Sequence, residues 1–177
     1  MALSKITTES LLDGEITAAK FATGVGGKVV QVVNTQTSAL SSGTTVMTRD
    51  ASIPQISEGI TAGLDTAITP TNASNKLLIE VVLWAATSAG PAAMELALFQ
   101  DSTANALAAS GSVHNAANWE HCLTLNYYMT AGTTSATTFK ARAGSNSSGT
   151  TYINGLDGAI THGAAIKSSM TITEISA

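Results

Sequence analysis

The chain has 177 residues and a formal net charge of −4; 44% of its residues are hydrophobic, but only 5% are aromatic and 11% charged. That hydrophobic content excludes a disordered chain. Eight Lys and Arg against twelve Asp and Glu exclude the basic footprint of a nucleic-acid binder, and no run of eighteen apolar residues offers a membrane-spanning helix. The single cysteine, Cys122, excludes a disulfide within the chain.

Residues 1–27 differ from the rest. They carry Lys5, Glu9, Asp13, Glu15 and Lys20 and end in Gly24, Val25, Gly26 and Gly27, whose glycines suit a flexible joint, so the domain boundary is expected at residue 28. The opening residues lack the basic-then-apolar layout of a secretion signal. Leu12, Ile16 and Ala19 fall on one face of a short helix that Asp13 or Thr7 is able to cap. Two turns of helix are marginal alone in water. Extended, the same stretch reaches on the order of 90 Å at ~3.3 Å per residue and suits a strap laid on another protein, and a frayed terminus is the third reading.

From Lys28 the pattern changes to period two. Strands are expected at 28–34, 44–48 and 64–69, the last stopped by Pro70 and a turn through Asn75. Residues 76–87 make the strongest strand. Leu77, Ile79, Val81, Leu83 and Ala85 lie on one face, and Leu78, Val82, Trp84 and Ala86 share the other with Glu80. Two apolar faces imply a central strand covered on both sides, by a second sheet and by something else, such as a neighbouring subunit. Residues 93–100 and 106–110 read as a hairpin about the turn 101–105, followed by a polar loop over 112–118. Further strands are expected at 119–130, 136–143, 150–154 and 169–175.

About nine strands at spacings of roughly eight to twelve residues, with turn signals between them, read as an all-β protein. The arrangement expected is a jelly-roll-like antiparallel β-sandwich over 28–177, preceded by a short helical or extended N-terminal anchor over 1–27. So little charge leaves much of the surface to Ser, Thr, Asn and Ala, which suits contact between identical subunits. Leu78, Val82 and Trp84 are the candidate subunit-interface residues. Glu80 and Glu95 interrupt apolar strands and are expected to face water; the alternative, in an oligomer, is a place at its rim or a pairing with Lys or Arg.

No catalytic constellation stands out, and neither a cofactor nor a metal is expected. His121 and Cys122 are adjacent, but neighbours on a strand point to opposite faces and do not share one ion. Copies of His121 converging across a symmetry axis are the alternative to an ordinary histidine in a half-buried sheet. Cys122 is expected to be a buried, inert thiol. Ser112 and Ser145 lack the Gly-x-Ser-x-Gly elbow of a hydrolase nucleophile, and the dispersed Asp50, Asp65, Asp101 and Asp157 make no paired-carboxylate or calcium-loop spacing. Aromatic residues near loops are common handles on glycans and proteins, which makes Asn115, Trp119 and Tyr152 the candidate receptor contacts.

Two stretches carry a family resemblance. The leader, with Leu3-Ser4-Lys5-Ile6-Thr7 and Leu11-Leu12-Asp13-Gly14-Glu15-Ile16-Thr17-Ala18-Ala19-Lys20-Phe21, resembles the N-terminal attachment segments of bacteriophage fibre proteins. The body resembles small phage virion proteins in Gly27-Lys28-Val29-Val30-Gln31-Val32-Val33, in the run from Ile68 to Ile79, and in the run from Ser168 to Ile175. These motifs are structural rather than catalytic. What the resemblance implies is a homotrimeric head or tail fibre on the virion exterior, made in the bacterial host cytoplasm. Its N-terminus would hold a capsid or tail protein through Leu3, Ile6, Leu11, Leu12, Ile16 and Phe21, and a host surface glycan is the further partner. The short leader points to a compact head fibre, a decoration protein or a tail-tip knob rather than a long fibre.

Overall fold

The structure, a computed structural model, describes residues 28–177; the attachment residues expected in the leader lie outside that range. The described residues are built from strands: β1 (Val29–Thr37), β2 (Ser41–Gly43), β3 (Ile60–Thr61), β4 (Thr66–Ile68), β5 (Lys76–Thr87), β6 (Ala92–Gln100), β7 (Ala108–His114), β8 (Glu120–Thr130), β9 (Thr137–Ser145), β10 (Thr151–Ile153), β11 (Gly155–Leu156), β12 (Ala159–Ile160) and β13 (Ser168–Ile175), with a 3₁₀ turn at His162–Ala164. All the pairings are antiparallel.

Two sheets face one another as a jelly-roll-like sandwich. In the first, β8 pairs with β5 along one edge from Lys76 to Ala86. The other edge of β5 is shared: β13 takes Lys76–Val82, with β1 outside it, and β10 takes Ala85–Thr87, with β2 outside it. The second sheet runs β7, β6 and β9, and β3 and β4 both lie on the far edge of β9. Period-two alternation fills the space between them. Leu77, Ile79, Val81 and Leu83 of β5, Leu123 and Leu125 of β8, and Met170 and Ile172 of β13 meet Met94, Leu96 and Leu98 of β6 and Phe139 of β9.

β6 is also covered on its back. Ala97 and Phe99 are fully buried there beneath Met47, with Ile56 and Ala106 beside them. The segment that brings Met47 is not the strand expected at 44–48; the neighbouring Ser41–Gly43, a turn by its sequence, pairs with β10 instead. Segment 44–59 lies over the sheet through Met47 N–H to the Ser145 carbonyl (3.0 Å) and Arg142 Nε and Nη2 to the carbonyls of Glu58 and Gly59 (2.8 Å each). Gly59 has φ +62°, and a Cβ there would stand 2.6 Å from the Ala143 carbonyl oxygen. The second hairpin strand is also displaced: it begins at Ala108 and continues through Ser112 and Val113 to His114, where a loop was expected.

The sandwich has two distinct ends. At the proximal end Lys28 and Ser176 bond each other, and the row Val29, Ile175, Lys76, Thr130 crosses the first sheet. Glu174 closes this end. Its fully buried carboxylate accepts from Asn75 Nδ2 (2.6 Å), Gln31 Nε2 (2.6 Å) and the N–H and hydroxyl of Thr71 (2.8 and 2.9 Å). Burial alone would raise its pKa; these hydrogen bonds outweigh burial and hold it at about 2. The distal end, on the order of 35 Å away along the twelve residues of β5, carries the loops 88–91, 115–119 and 146–150. They are knitted by Asn118 N–H to the Thr87 carbonyl (2.8 Å) and Ser88 N–H to the Thr150 carbonyl (2.9 Å).

Candidate functional site

The outer face of the first sheet follows from the register. Three rows cross it: Val32, Thr173, Leu78 and Tyr128; Asn34, Thr171, Glu80 and Asn126; Gln36, Ser169, Val82 and Thr124. Among these twelve positions Glu80 is the one charge. Val32 and Tyr128 are 55% and 56% exposed, and Leu78, Val82 and Trp84 are half-buried. Trp84 sits one row further toward the distal end, opposite Cys122, and forms with His162, Ala165, Ile166 and Lys167 an open groove of about 540 Å³. The three candidate interface residues therefore share one face, and Tyr128 and Val32 extend it. β-strand register is the signal that unites them; sequence reading treated β5 alone.

Strand continuity breaks beside Trp84, where β13 ends and β10 begins. Ser168 Oγ accepts the Trp84 N–H (3.0 Å) and donates to Asn154 Oδ1 (2.6 Å), and Asn154 N–H donates to the Trp84 carbonyl (3.0 Å). The buried Ser168 side chain and the backbone N–H of Asn154 thus complete the ladder that the strands leave open.

The candidate receptor contacts gather at the distal end. Asn115 and Trp119 lie in the exposed loop between β7 and β8; Trp119 is 53% exposed and follows Asn118, whose φ is +61°. Tyr152 is half-buried on β10, in the row Ser42, Tyr152, Ala86 and Glu120 that abuts this loop.

Cys122 and Glu95 depart from the first expectation, and His121 meets it. Cys122 is exposed rather than buried, because the outer face of β8 has no second layer above it. His121 is an ordinary strand histidine that points between the sheets, with Nδ1 3.1 Å from Ser112 Oγ and Nε2 3.1 Å from His114 Nδ1. Glu80 faces water as expected, whereas Glu95 is half-buried and realises the alternative of a charge pairing, with Arg49 at 3.0 Å within the chain. Burial raises the Glu95 pKa, and the Arg49 guanidinium opposes that shift. Among the described residues no group of three or more His, Cys, Asp or Glu is placed to hold a metal ion.

No protein-family model and no curated protein matches the chain. Solved structures match it in shape. The Eiger TNF from S. frugiperda aligns over 82% of this chain and 93% of its own length with a TM-score of 0.50 at 9% identity. A dimeric latent PorU from Porphyromonas gingivalis aligns over 86% of this chain and 14% of its own (TM-score 0.38, 10% identity). The enzymatically active domain of tailspike protein 4 from bacteriophage CBA120 aligns over 73% and 20% (TM-score 0.26, 17% identity). At such identity the first likeness speaks to the jelly-roll fold and no further, and the other two fall below the level that supports an argument.

Proposed function

We propose that this chain is a non-enzymatic structural component of a bacteriophage particle, made in the bacterial cytoplasm and displayed on the virion exterior as a homotrimeric fibre or spike. Residues 1–27 hold a head or tail protein, and residues 28–177 project outward. The observation that carries this reading is the opposition of the two ends. The leader joins at Lys28 on the proximal end, while the loop with Asn115 and Trp119 stands a full strand length away. The sequence motifs of the leader and body supply the virion assignment.

The outer face of the first sheet supports self-association. Interface cores are depleted in charge and enriched in aromatic residues, and this face offers one charge among three rows with Tyr128 and Trp84 beside them. Three weak leaders gripping together gain avidity without any new contact: linkage multiplies affinity by about 10²–10⁴. Deleting residues 1–23 is expected to abolish attachment to particles while leaving the assembled β-sandwich intact; a truncated protein that still decorates particles overturns the role of the leader.

A second reading rests on the exposed indole of Trp119, which is a surface on which a sugar ring is able to stack. In that case the distal loop binds a host surface glycan. Loss of glycan binding and host adsorption in Trp119→Ala, with thermal stability unchanged, supports it; a glycan array without binding removes it.

A further inference from the structure

We propose that Ser112, His121 and His114 form a proton-operated clasp between the two sheets, closed while both rings are uncharged and released on protonation, so that acid loosens the distal loop bearing Asn115 and Trp119. The clasp stands on its own geometry and holds whether or not that loop meets a glycan.

The hydrogen bonds have a single polarity. The Ala89 carbonyl is only an acceptor, so His114 Nε2, 3.1 Å away, carries the proton. His114 Nδ1 is then an acceptor and takes the N–H of His121 Nε2 at 3.1 Å. His121 Nδ1 is in turn an acceptor for the Ser112 hydroxyl, also at 3.1 Å. The network assigns every proton, and both rings are the Nε2–H form. The rings lie 4.9 Å apart at 46°, with His114 and His121 4% and 9% exposed.

One further proton has two places to go. On His114 Nδ1 it would set two N–H groups against each other across 3.1 Å. On His121 Nδ1 it would turn the Ser112 hydroxyl round and leave an imidazolium between the sheets. No carboxylate faces it among the described residues. On β8, Glu120 and Cys122 flank His121 and point to the opposite face, where Glu120 accepts from Thr161. On β6, Glu95 faces the back of the second sheet with Arg49. On β5, Glu80 faces outward, and β7 turns Ser110, Ser112 and His114 inward, none of them a carboxylate. Burial, and secondarily the neighbouring His114, hold the pKa of His121 below the ordinary imidazole value. The stability due to the closed clasp is therefore complete above the unfolded value near pH 6.5 and declines as pH falls from there through the folded value.

What loosens is local. β7 remains paired with β6 from Ala92 to Leu98, but His114 is its last residue and the loop 115–119 begins beside it. His114, at the start of that loop, is tied to Ala89 of the 88–91 loop, and Asn118 within it to Thr87 at the end of β5. The Nε2–H of His114 keeps its place on the Ala89 carbonyl in either charge state; what the added proton opposes is the bridge from His114 to His121 on β8, and the loop 115–119 follows His114 directly.

Nitrogen-15 NMR of the full chain between pH 8 and pH 4.5 tests this. At pH 7.5 both rings are expected in the Nε2–H form, and the Trp119 indole signal, distinguished from that of Trp84 by Trp84→Phe, is expected to move with a midpoint below pH 6.5. His121→Gln keeps an N–H for His114 and an oxygen for Ser112 but removes one of the two places for the proton; it is expected to displace the midpoint of the movement, while His162→Gln and Glu120→Gln preserve it. An Nδ1–H form of His114, an unmoving Trp119 signal, or the same midpoint in His121→Gln overturns the proposal. If His121→Gln does not fold, the tautomers and midpoint of the unaltered chain still decide.

Discussion

Ser168 and Asn154 share a hydrogen bond of 2.6 Å at the point where β13 stops and β10 takes over the edge of β5, and both are buried. The pair serves the backbone of Trp84 in place of a strand. Ser168→Ala leaves the Trp84 N–H and the Asn154 side-chain oxygen without their partner. The expected cost is about 1–3 kcal/mol, read as a lower urea midpoint at unchanged slope.

Glu174 links β13, β1 and the turn before β5 through four hydrogen bonds to one carboxylate. Its pKa, about 2 in the fold, lies below the unfolded value of 4.5. The stabilisation is therefore fully present above pH 4.5 and is lost as pH falls toward 2. Glu174→Gln, which turns an amide N–H2 toward existing donors, is expected to lower stability by about 1–3 kcal/mol at pH 7. The gap between variant and unaltered protein should narrow in thermal scans as the pH approaches 2.

The outer face of the first sheet yields a test of assembly. Val82→Lys places a charge among Ser169, Thr124 and Trp84, on the face proposed to meet a partner copy. Light scattering is expected to report a monomer with an unchanged circular dichroism spectrum. Trp84→Ala is expected to weaken association by about 2 kcal/mol or more, roughly thirtyfold per contact.

Cys122 gives an independent reading of the same face, since it lies opposite Trp84 and is exposed in the single chain. Its thiol is expected to be alkylated quickly in the Val82→Lys monomer and slowly in the assembled protein. Equal rates in the two would show that this face is not an interface.

Gly59→Ala tests the cover over β6. At φ +62°, with the Ala143 carbonyl 2.6 Å from the added carbon, the backbone has to move. The expected loss is about 1–3 kcal/mol, with faster amide exchange in the segment around Met47.

Several features were legible in the chain itself. The alternation in residues 76–87 reports a strand with two apolar faces, because side chains one residue apart must point to opposite sides, and β5 spans those residues. The separation of His121 from Cys122 follows from the same rule, and the two do lie on opposite faces. Residues 44–48 show where the rule fails. Thr44, Thr45 and Val46 favour a strand by propensity, but β-propensity expresses fit to neighbours, and here Met47 is drawn down onto Phe99 while Ser41–Gly43 finds the free edge of β10.

Period, turn residues and charge content are local properties, so the sequence by itself determined an all-β chain with few charges, punctuated by turns. Which residues meet across the fold depends on register and on the crossing of loops between sheets, and these are settled by burial of the whole core rather than by any short segment. Only the tertiary structure therefore brought His114 against His121, seated Glu174 among its donors, assembled Val32, Leu78 and Tyr128 into one row, and set Lys28 and Trp119 at opposite ends.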